Sequence, residues 1–257
     1  MEPKNLFAGI KGKRVLITGA SGGIGSEIAK LFAEYGAKVG IHYNSNREAA
    51  LKVKEDIVNT GGEAEIIKGD LLDHNVRLNL VDEFVKIYGG IDILINGAGA
   101  VHKQVHFSEI DEETWDKTFD LNLKSAFYLS GKAFEYMKKQ KWGRIINLTS
   151  INVKFGGSAK SMHYVTTKAG LDNITIGFAR EGAQHNILVN GIRCGVIDTD
   201  MHKKIKGYKA EDFVKRQEFI PLKKLGKPID IARTALFLAS ECGDFITKEI
   251  ITVAGGE

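Results

Sequence analysis

Short apolar runs alternate along this chain with longer amphipathic stretches, and few folds accommodate that rhythm. Val15-Leu-Ile-Thr18, Lys38 to His42, Glu65 to Lys68, Ile91 to Ile95, Arg144 to Leu148, Ile187 to Ile192 and Ile250 to Val253 read as strands. Between them, Ile24 to Tyr35, Arg47 to Val58, Val76 to Tyr88, Glu112 to Lys139, Met162 to Glu181 and Pro228 to Ser240 read as helices. Gly61-Gly62 and Gly89-Gly90 stop two of them. Apolar strands alternating with helices imply a parallel sheet covered on both sides, with right-handed crossovers. The expected fold is α/β, a doubly wound parallel sheet of about seven strands with helices on both faces. No proline- or serine-rich linker and no repeat divides the 257 residues, which suit one domain. Only Asp198 to Phe219 breaks the pattern; it is polar and lysine-rich and reads as a lid over the sheet's carboxyl edge.

With 43% hydrophobic and 26% charged residues, the chain has an ordinary globular composition. A net charge of +4, without basic repeats interleaved with aromatics, gives no reason to expect nucleic acid. Cys194 and Cys242 form no CxxC or Cys/His ligand pattern, so neither a metal nor a disulfide framework is expected. The opening Met1-Glu-Pro-Lys-Asn5 lacks a signal peptide's apolar core. No apolar run approaches the ~20 residues of a membrane-spanning helix, and a cytoplasmic location is expected.

Thr18-Gly-Ala-Ser-Gly-Gly-Ile-Gly25 lies directly between the first strand and its helix. Gly19 permits the tight turn, Gly23 lets backbone approach a pyrophosphate, and Gly25 lets helix and sheet pack closely. The helix N-terminus offers free N–H groups to the anion. Gly19, Ser21, Gly22, Gly23, Ile24 and Gly25 are therefore expected to cradle a dinucleotide. An acidic residue ending the second strand would bind the ribose hydroxyls of NAD. Here that strand runs into Tyr43-Asn44-Ser45-Asn46-Arg47, with no carboxylate before Glu48. Tyr43, Asn44 and Ser45, with Arg47, favour NADP(H); NAD(H) is the alternative, with Asn44 and Ser45 then merely capping the next helix.

Tyr164-Val-Thr-Thr-Lys168 places a phenol and an ammonium four residues apart, on one face if helical. The ammonium is expected to lower the phenol's pKa and make it a proton carrier.

Assembled, these residues resemble the short-chain dehydrogenase/reductase family over essentially the whole chain, in the compact form of 3-oxoacyl-(acyl-carrier-protein) reductases and glucose dehydrogenases. Thr18 to Gly25 resembles its TGxxxGxG, and Asn96-Gly-Ala-Gly99 its NNAG with Gly97 in place of one Asn. Asn122 matches its helix asparagine, Ser150 closes the fifth strand, and Cys194-Gly195-Val-Ile-Asp-Thr199 resembles PGxxxT with Cys194 for proline. The resemblance implies interconversion of a ketone and a secondary alcohol by hydride transfer. Ser150 then holds the substrate oxygen, Tyr164 exchanges its proton, Lys168 binds the nicotinamide ribose, and Asn122 positions water in a proton relay. Asp70 and Leu71 contact adenine; Asn96, Ala98 and Gly99 line the cofactor's middle; Gly195, Ile197 and Thr199 hold the carboxamide. Duller roles compete: Ser150 as a turn cap, Asn122 back-bonded to its own helix, Asp70 as a turn residue, Thr199 as an N-cap, Cys194 as a small apolar filler. Losing proline at 194 should loosen the turn before the lid, and Gly97 should free its loop. Ala254 replaces an acidic residue common in relatives.

Lys203, Lys204, Lys206, Lys209, Lys215 and Arg216 in the lid, with Arg193, Lys138, Lys139 and Lys141, are either a solvated face or a seat for an anionic or carrier-linked substrate. His102, Lys103, His106 and His163 flank the expected pocket. Relatives assemble as tetramers or dimers, and Phe119, Leu123, Phe127 and Leu129 exceed what one sheet face needs. A sugar-nucleotide epimerase or dehydratase using the same Tyr–Lys chemistry, and a non-catalytic cofactor sensor, are the competing functions.

Overall fold

In the computed structural model, residues 6–199 and 210–257 are described. Seven strands form one sheet: β1 (Arg14–Ile17), β2 (Lys38–Tyr43), β3 (Glu63–Lys68), β4 (Ile93–Asn96), β5 (Gly143–Ser150), β6 (Ile187–Cys194) and β7 (Ile250–Val253). Their order is β3-β2-β1-β4-β5-β6-β7, and every neighbouring pair is parallel. The connecting helices are α1 (Gly23–Glu34), α2 (Arg47–Asn59), α3 (His74–Tyr88), α4 (Glu112–Phe119), α5 (Ser125–Gln140), α6 (Met162–Gly182), α7 (Ala210–Phe219) and α8 (Pro228–Ala239). Two apolar clusters form the core. One includes Val15, Ile28, Phe32, Val39, Ile93, Ile146 and Leu236; the other includes Leu16, Phe84, Leu94, Leu129, Ile145 and Val189. Alternate residues of each central strand feed opposite clusters, the two-sided burial that its apolar run implied.

The strand order reverses between β1 and β4, and the carboxyl ends there open a crevice where such sheets bind ligands. Arg14 staples the opposite ends of these strands. Its Nε and Nη2 donate to Asp92 Oδ2 and Oδ1, both at 2.7 Å. β4 begins at Ile93 rather than Ile91.

The helix expected from Glu112 to Lys139 is divided. A π turn at Asp120–Lys124 separates α4 from α5. Such a turn holds one residue more than an α-helical turn, so the apolar stripe changes phase across it. Leu129 is wholly buried in the core, Leu123 lies against Gly170, and Phe119 stacks on Trp115 at 4.5 Å. Of the four supposed surplus apolar residues, Phe127 remains largely exposed.

His42 joins three strands from beneath. Its Nδ1 accepts from Gly19 N–H at 3.2 Å, and its Nε2 donates to Gly69 O at 3.0 Å. Burial holds the imidazole down at about 4. Between its unfolded value of ~6.5 and 4, the unfolded chain binds a proton that the folded chain excludes. Folding stability therefore falls as pH drops through that window, by up to ~3 kcal/mol. Urea titrations at stepped pH check this. His42→Asn should flatten the acid slope; an unchanged slope would assign the effect elsewhere.

Candidate active site

The β1–α1 turn is built for close approach. Gly19 has φ of +71°, and a Cβ there would lie 3.0 Å from Ala98 Cα. A Cβ on Gly25 would lie 2.5 Å from the Gly19 carbonyl oxygen. Gly22, by contrast, faces open space. It forms the N-cap of α1 and supplies no side-chain cap, so the first N–H groups of the helix are left for an anion. Thr199 reaches this turn, its methyl 3.5 Å from where a Gly23 Cβ would lie. Ser21 and Ile24 are half-buried beside it. These are the features that a pyrophosphate requires, and the turn fits a dinucleotide.

Thr18 joins this turn to the loop after β4, its Oγ1 accepting from Gly97 N–H at 3.0 Å and Ala98 N–H at 3.1 Å. A Cβ at 97 would lie 2.8 Å from Thr18 O. Gly97 thus serves close approach and not loop freedom. Asn96 differs from expectation. Its Nδ2 turns inward to Ser130 Oγ at 3.0 Å and Asn147 Oδ1 at 2.8 Å, and Asn147 continues to Thr175 at 2.8 Å. This buried polar chain leaves only the Asn96 backbone for a ligand. Ala98 and Gly99 are half-buried in the loop itself.

Asn122 sits in the π turn with every side-chain group engaged. Oδ1 accepts from Ala100 N–H at 2.9 Å; Nδ2 donates to Ala100 O at 3.0 Å and Thr118 O at 2.9 Å. The back-bonding alternative is realised, and the amide also clamps the loop after β4. A Cβ on Gly99 would meet Asn122 Oδ1 at 2.6 Å and Lys168 Nζ at 3.4 Å, which brings loop, π turn and α6 together.

Tyr164 and Lys168 lie on the first turns of α6, with the lysine Nζ 5.8 Å from the phenol ring centre. Lys168 is buried and donates to Leu148 O at 2.8 Å. Burial brings its ammonium down to about 8. The phenol is not lowered as the pair suggested. Burial pushes it up, and the ammonium does not offset this. Ser150 ends β5, and its Oγ accepts from Asn152 N–H at 3.2 Å. The turn-cap role is therefore real, yet the hydroxyl proton stays available for donation.

Cys194 pairs in register with Ser150 on one side and Val253 on the other. Without proline the ladder runs through this position, so the turn is not loosened. Burial holds the thiol up at about 12, which fits a neutral filler. Ile197 is buried and bridges to Gly226, and half-buried Gly195 donates its N–H to Val253 O at 2.9 Å. After β3, Leu71 is buried and exposed Asp70 forms a turn, its Oδ1 accepting from Leu72 N–H at 3.0 Å. Asn44 and Ser45 are exposed, while Tyr43 is buried in the core. The cap of α2 is Asn46, whose side chain accepts from Ala49 N–H at 3.0 Å, so Asn44 and Ser45 are not its cap.

Several basic candidates are otherwise engaged. Arg193 pairs with Asp172 at 2.8 Å, Arg216 with Glu257, and Lys103 with Asp111 at 2.9 Å. Lys138, Lys139 and Lys141 lie just before Gly143, at the amino end of β5 and away from the crevice. Lys203, Lys204, Lys206 and Lys209 lie outside the described residues. His106 caps its own turn, with Nδ1 2.7 Å from Ser108 Oγ. His163 is buried and, with Phe107, Ile110, Trp115 and Met162, lines a recess of about 340 Å³. Burial lowers the imidazoles of both His102 and His163. The sequence reading overlooked His42, Asn147 and Thr175. His42 was legible only as a polar residue inside an apolar strand, and Asn147 likewise.

Residues 13–209 match the family model described as short chain dehydrogenase. The 3-oxoacyl-(acyl-carrier-protein) reductase FabG of Aquifex aeolicus is 37% identical over 248 residues, covering 96% of this chain and 98% of that protein. The FabG of Staphylococcus epidermidis is 38% identical over 244 residues, covering 95% and 98%. Among solved structures, one described as a short-chain alcohol dehydrogenase from Sinorhizobium meliloti superposes with a TM-score of 0.89 at 35% identity, covering 96% of each chain. One described as a gluconate dehydrogenase from Agrobacterium tumefaciens has a TM-score of 0.90 at 28% identity, covering 98% and 97%. Motifs, sheet order and relatives agree: the chain belongs to the short-chain dehydrogenase family and is an NAD(P)-dependent oxidoreductase that interconverts a ketone and a secondary alcohol.

Proposed function

We propose that Tyr164 is the general acid/base of this reaction, with Ser150, Lys168 and Asn122 around it, and that NADP(H) is the preferred cofactor. The observation that carries the reading is the convergence of Gly99, Asn122 and Lys168 beside Tyr164, at the carboxyl ends of the central strands. The bound nicotinamide supplies or accepts the hydride. The Ser150 hydroxyl donates to the substrate oxygen and orients it. Tyr164, kept protonated by burial, gives its proton to that oxygen as negative charge develops there. Lys168 holds its positive charge under the reacting oxygen and binds the ribose. Asn122, through its clamp on Ala100, keeps the π turn and the loop in register, and its main chain orders relay water.

For the cofactor, Gly19, Ser21, Gly22, Gly23, Ile24 and Gly25 hold the pyrophosphate, Asp70 and Leu71 the adenine, and Ala98, Gly99 and the Asn96 backbone the middle. Gly195, Ile197 and Thr199 hold the carboxamide. Exposed Asn44, Ser45 and Arg47, with no carboxylate at the end of β2, support a 2′-phosphate there. The 1–257 chain acts as one domain, with a substrate lid at about 198–219. A homotetramer, or a homodimer, forms through the faces carrying exposed Phe127 and Tyr128, in the cytoplasm.

A ketone panel with NADPH and with NADH tests cofactor and chemistry together. Turnover should favour NADPH; a preference for NADH would overturn the reading of β2. The FabG relatives support a second reading, in which a 3-oxoacyl group arrives on a carrier protein. Rates with carrier-linked 3-oxoacyl substrates should then fall steeply with added salt. A flat salt response would leave a small neutral ketone as the substrate.

A further inference from the structure

Lys168 must keep its charge in a place that opposes charge. Its side chain is buried, and its hydrogen bond among the described residues goes to one carbonyl, Leu148 O. Asp172 lies four residues along the same helix, where side chains are neighbours. Its carboxylate is also buried, with 8% of the side chain exposed. Arg193, on β6, grips one of its oxygens twice: Nε donates to Oδ2 at 2.9 Å, and Nη2 lies 2.8 Å from the same atom. The other oxygen, Oδ1, is buried and has no hydrogen-bond partner. Arg193 therefore engages this carboxylate on one side only.

We propose that Asp172 is a positioning residue whose negative charge keeps Lys168 protonated. The inference rests on Lys168 serving the reaction as described above.

The groups facing Lys168 support the assignment. On α6 these are Tyr164 and Asp172. On β6 they are Cys194, with Arg193 beyond it through Asp172. From β5 comes the backbone carbonyl of Leu148, and from the π turn the neutral Asn122. Burial pulls the ammonium down; Cys194 and Asp172 pull it up. With its thiol held at about 12, Cys194 is uncharged at neutral pH. Asp172 is then the negative charge that opposes desolvation.

Carbon-13 labelling of lysine Cε lets the Lys168 titration be followed by NMR in the ligand-free protein, with assignment from the signal lost in Lys168→Met. Asp172→Asn should lower the midpoint by about one pH unit. Arg193→Gln removes a nearby positive charge and should raise it or leave it in place. A lowered midpoint in Asp172→Asn beside a raised or unmoved one in Arg193→Gln separates an electrostatic role from a packing role, which would disturb both alike. Asp172→Asn should also shift the alkaline limb of kcat/KM to lower pH. If Asp172→Asn proves unstable, the double variant Asp172→Asn/Arg193→Gln, which leaves no Arg193 charge without its partner, should still show a midpoint below that of Arg193→Gln. An unchanged midpoint in Asp172→Asn, or in the double variant relative to Arg193→Gln, overturns the inference and leaves the roles of Tyr164 and Lys168 standing. Failure of those roles would appear instead as turnover retained without the Tyr164 hydroxyl, whatever the lysine titration shows.

Discussion

Replacing Tyr164 with phenylalanine is expected to lower kcat for ketone reduction by about 10²–10⁴-fold, the usual contribution of a positioned general acid. The change removes one oxygen and leaves the ring. Because Tyr164 makes no side-chain hydrogen bond to the described residues, no protein partner is orphaned by its loss. Folding and NADPH affinity should therefore persist, the first seen as an unchanged Tm and the second as an unchanged Kd by calorimetry. A drop in kcat with Kd preserved identifies an interaction made in the transition state. Turnover within a few-fold of the parent would remove Tyr164 from the chemistry.

Gly25→Ala should damage both fold and cofactor binding. The added methyl would stand 2.5 Å from the Gly19 carbonyl oxygen and 3.0 Å from Ala20 Cα, and both are backbone of the phosphate turn. Backbone cannot swing aside as a side-chain tip can. A cost of about 1–3 kcal/mol is expected, read as a Tm lowered by several degrees. NADPH affinity should fall at least tenfold, because the turn that presents the helix N–H groups must move. Gly22→Ala is the matched control. Its backbone is extended, and its Cβ would meet nothing within 4 Å. It should keep its Tm and lose affinity alone, since its methyl would occupy the space open to a pyrophosphate. Equal Tm and equal affinity in Gly25→Ala would show the turn to be deformable.

Much of this was legible before any coordinates. Burial on both faces of the sheet forces the strands into near-continuous apolar runs, so their approximate positions and parallel direction are legible in residue type. The glycine turn was equally plain, because only glycine suits those close approaches. What stayed hidden depends on distant partners. Nothing local in Asp120-Leu-Asn-Leu123 marks a π turn; the extra residue is tolerated because Asn122 finds Ala100 in another loop. Asn96 reads as a pocket residue until Ser130 and Asn147 turn it inward. Arg193 reads as a free cation until Asp172, 21 residues earlier, neutralises it. Tyr164 and Lys168 share one helix as their spacing implies, but the expected lowering of the phenol's pKa is not found. Charge proximity favours a low phenol pKa, and burial, which a sequence does not display, outweighs it here.

The bonds that the amides of Gly97 and Ala98 donate to Thr18 Oγ1 span 79 and 80 residues of chain. Lys168 then meets Leu148, and Thr199 closes over Gly23. The site therefore has no existence in any partly folded form limited to β1, β2 and β3, although that segment contains the whole glycine motif. In such a form the motif lacks the loop after β4 that Thr18 holds against it. Ligand binding then draws on the finished fold alone. Added cofactor should slow unfolding and proteolysis of the complete chain and do nothing for an early fragment.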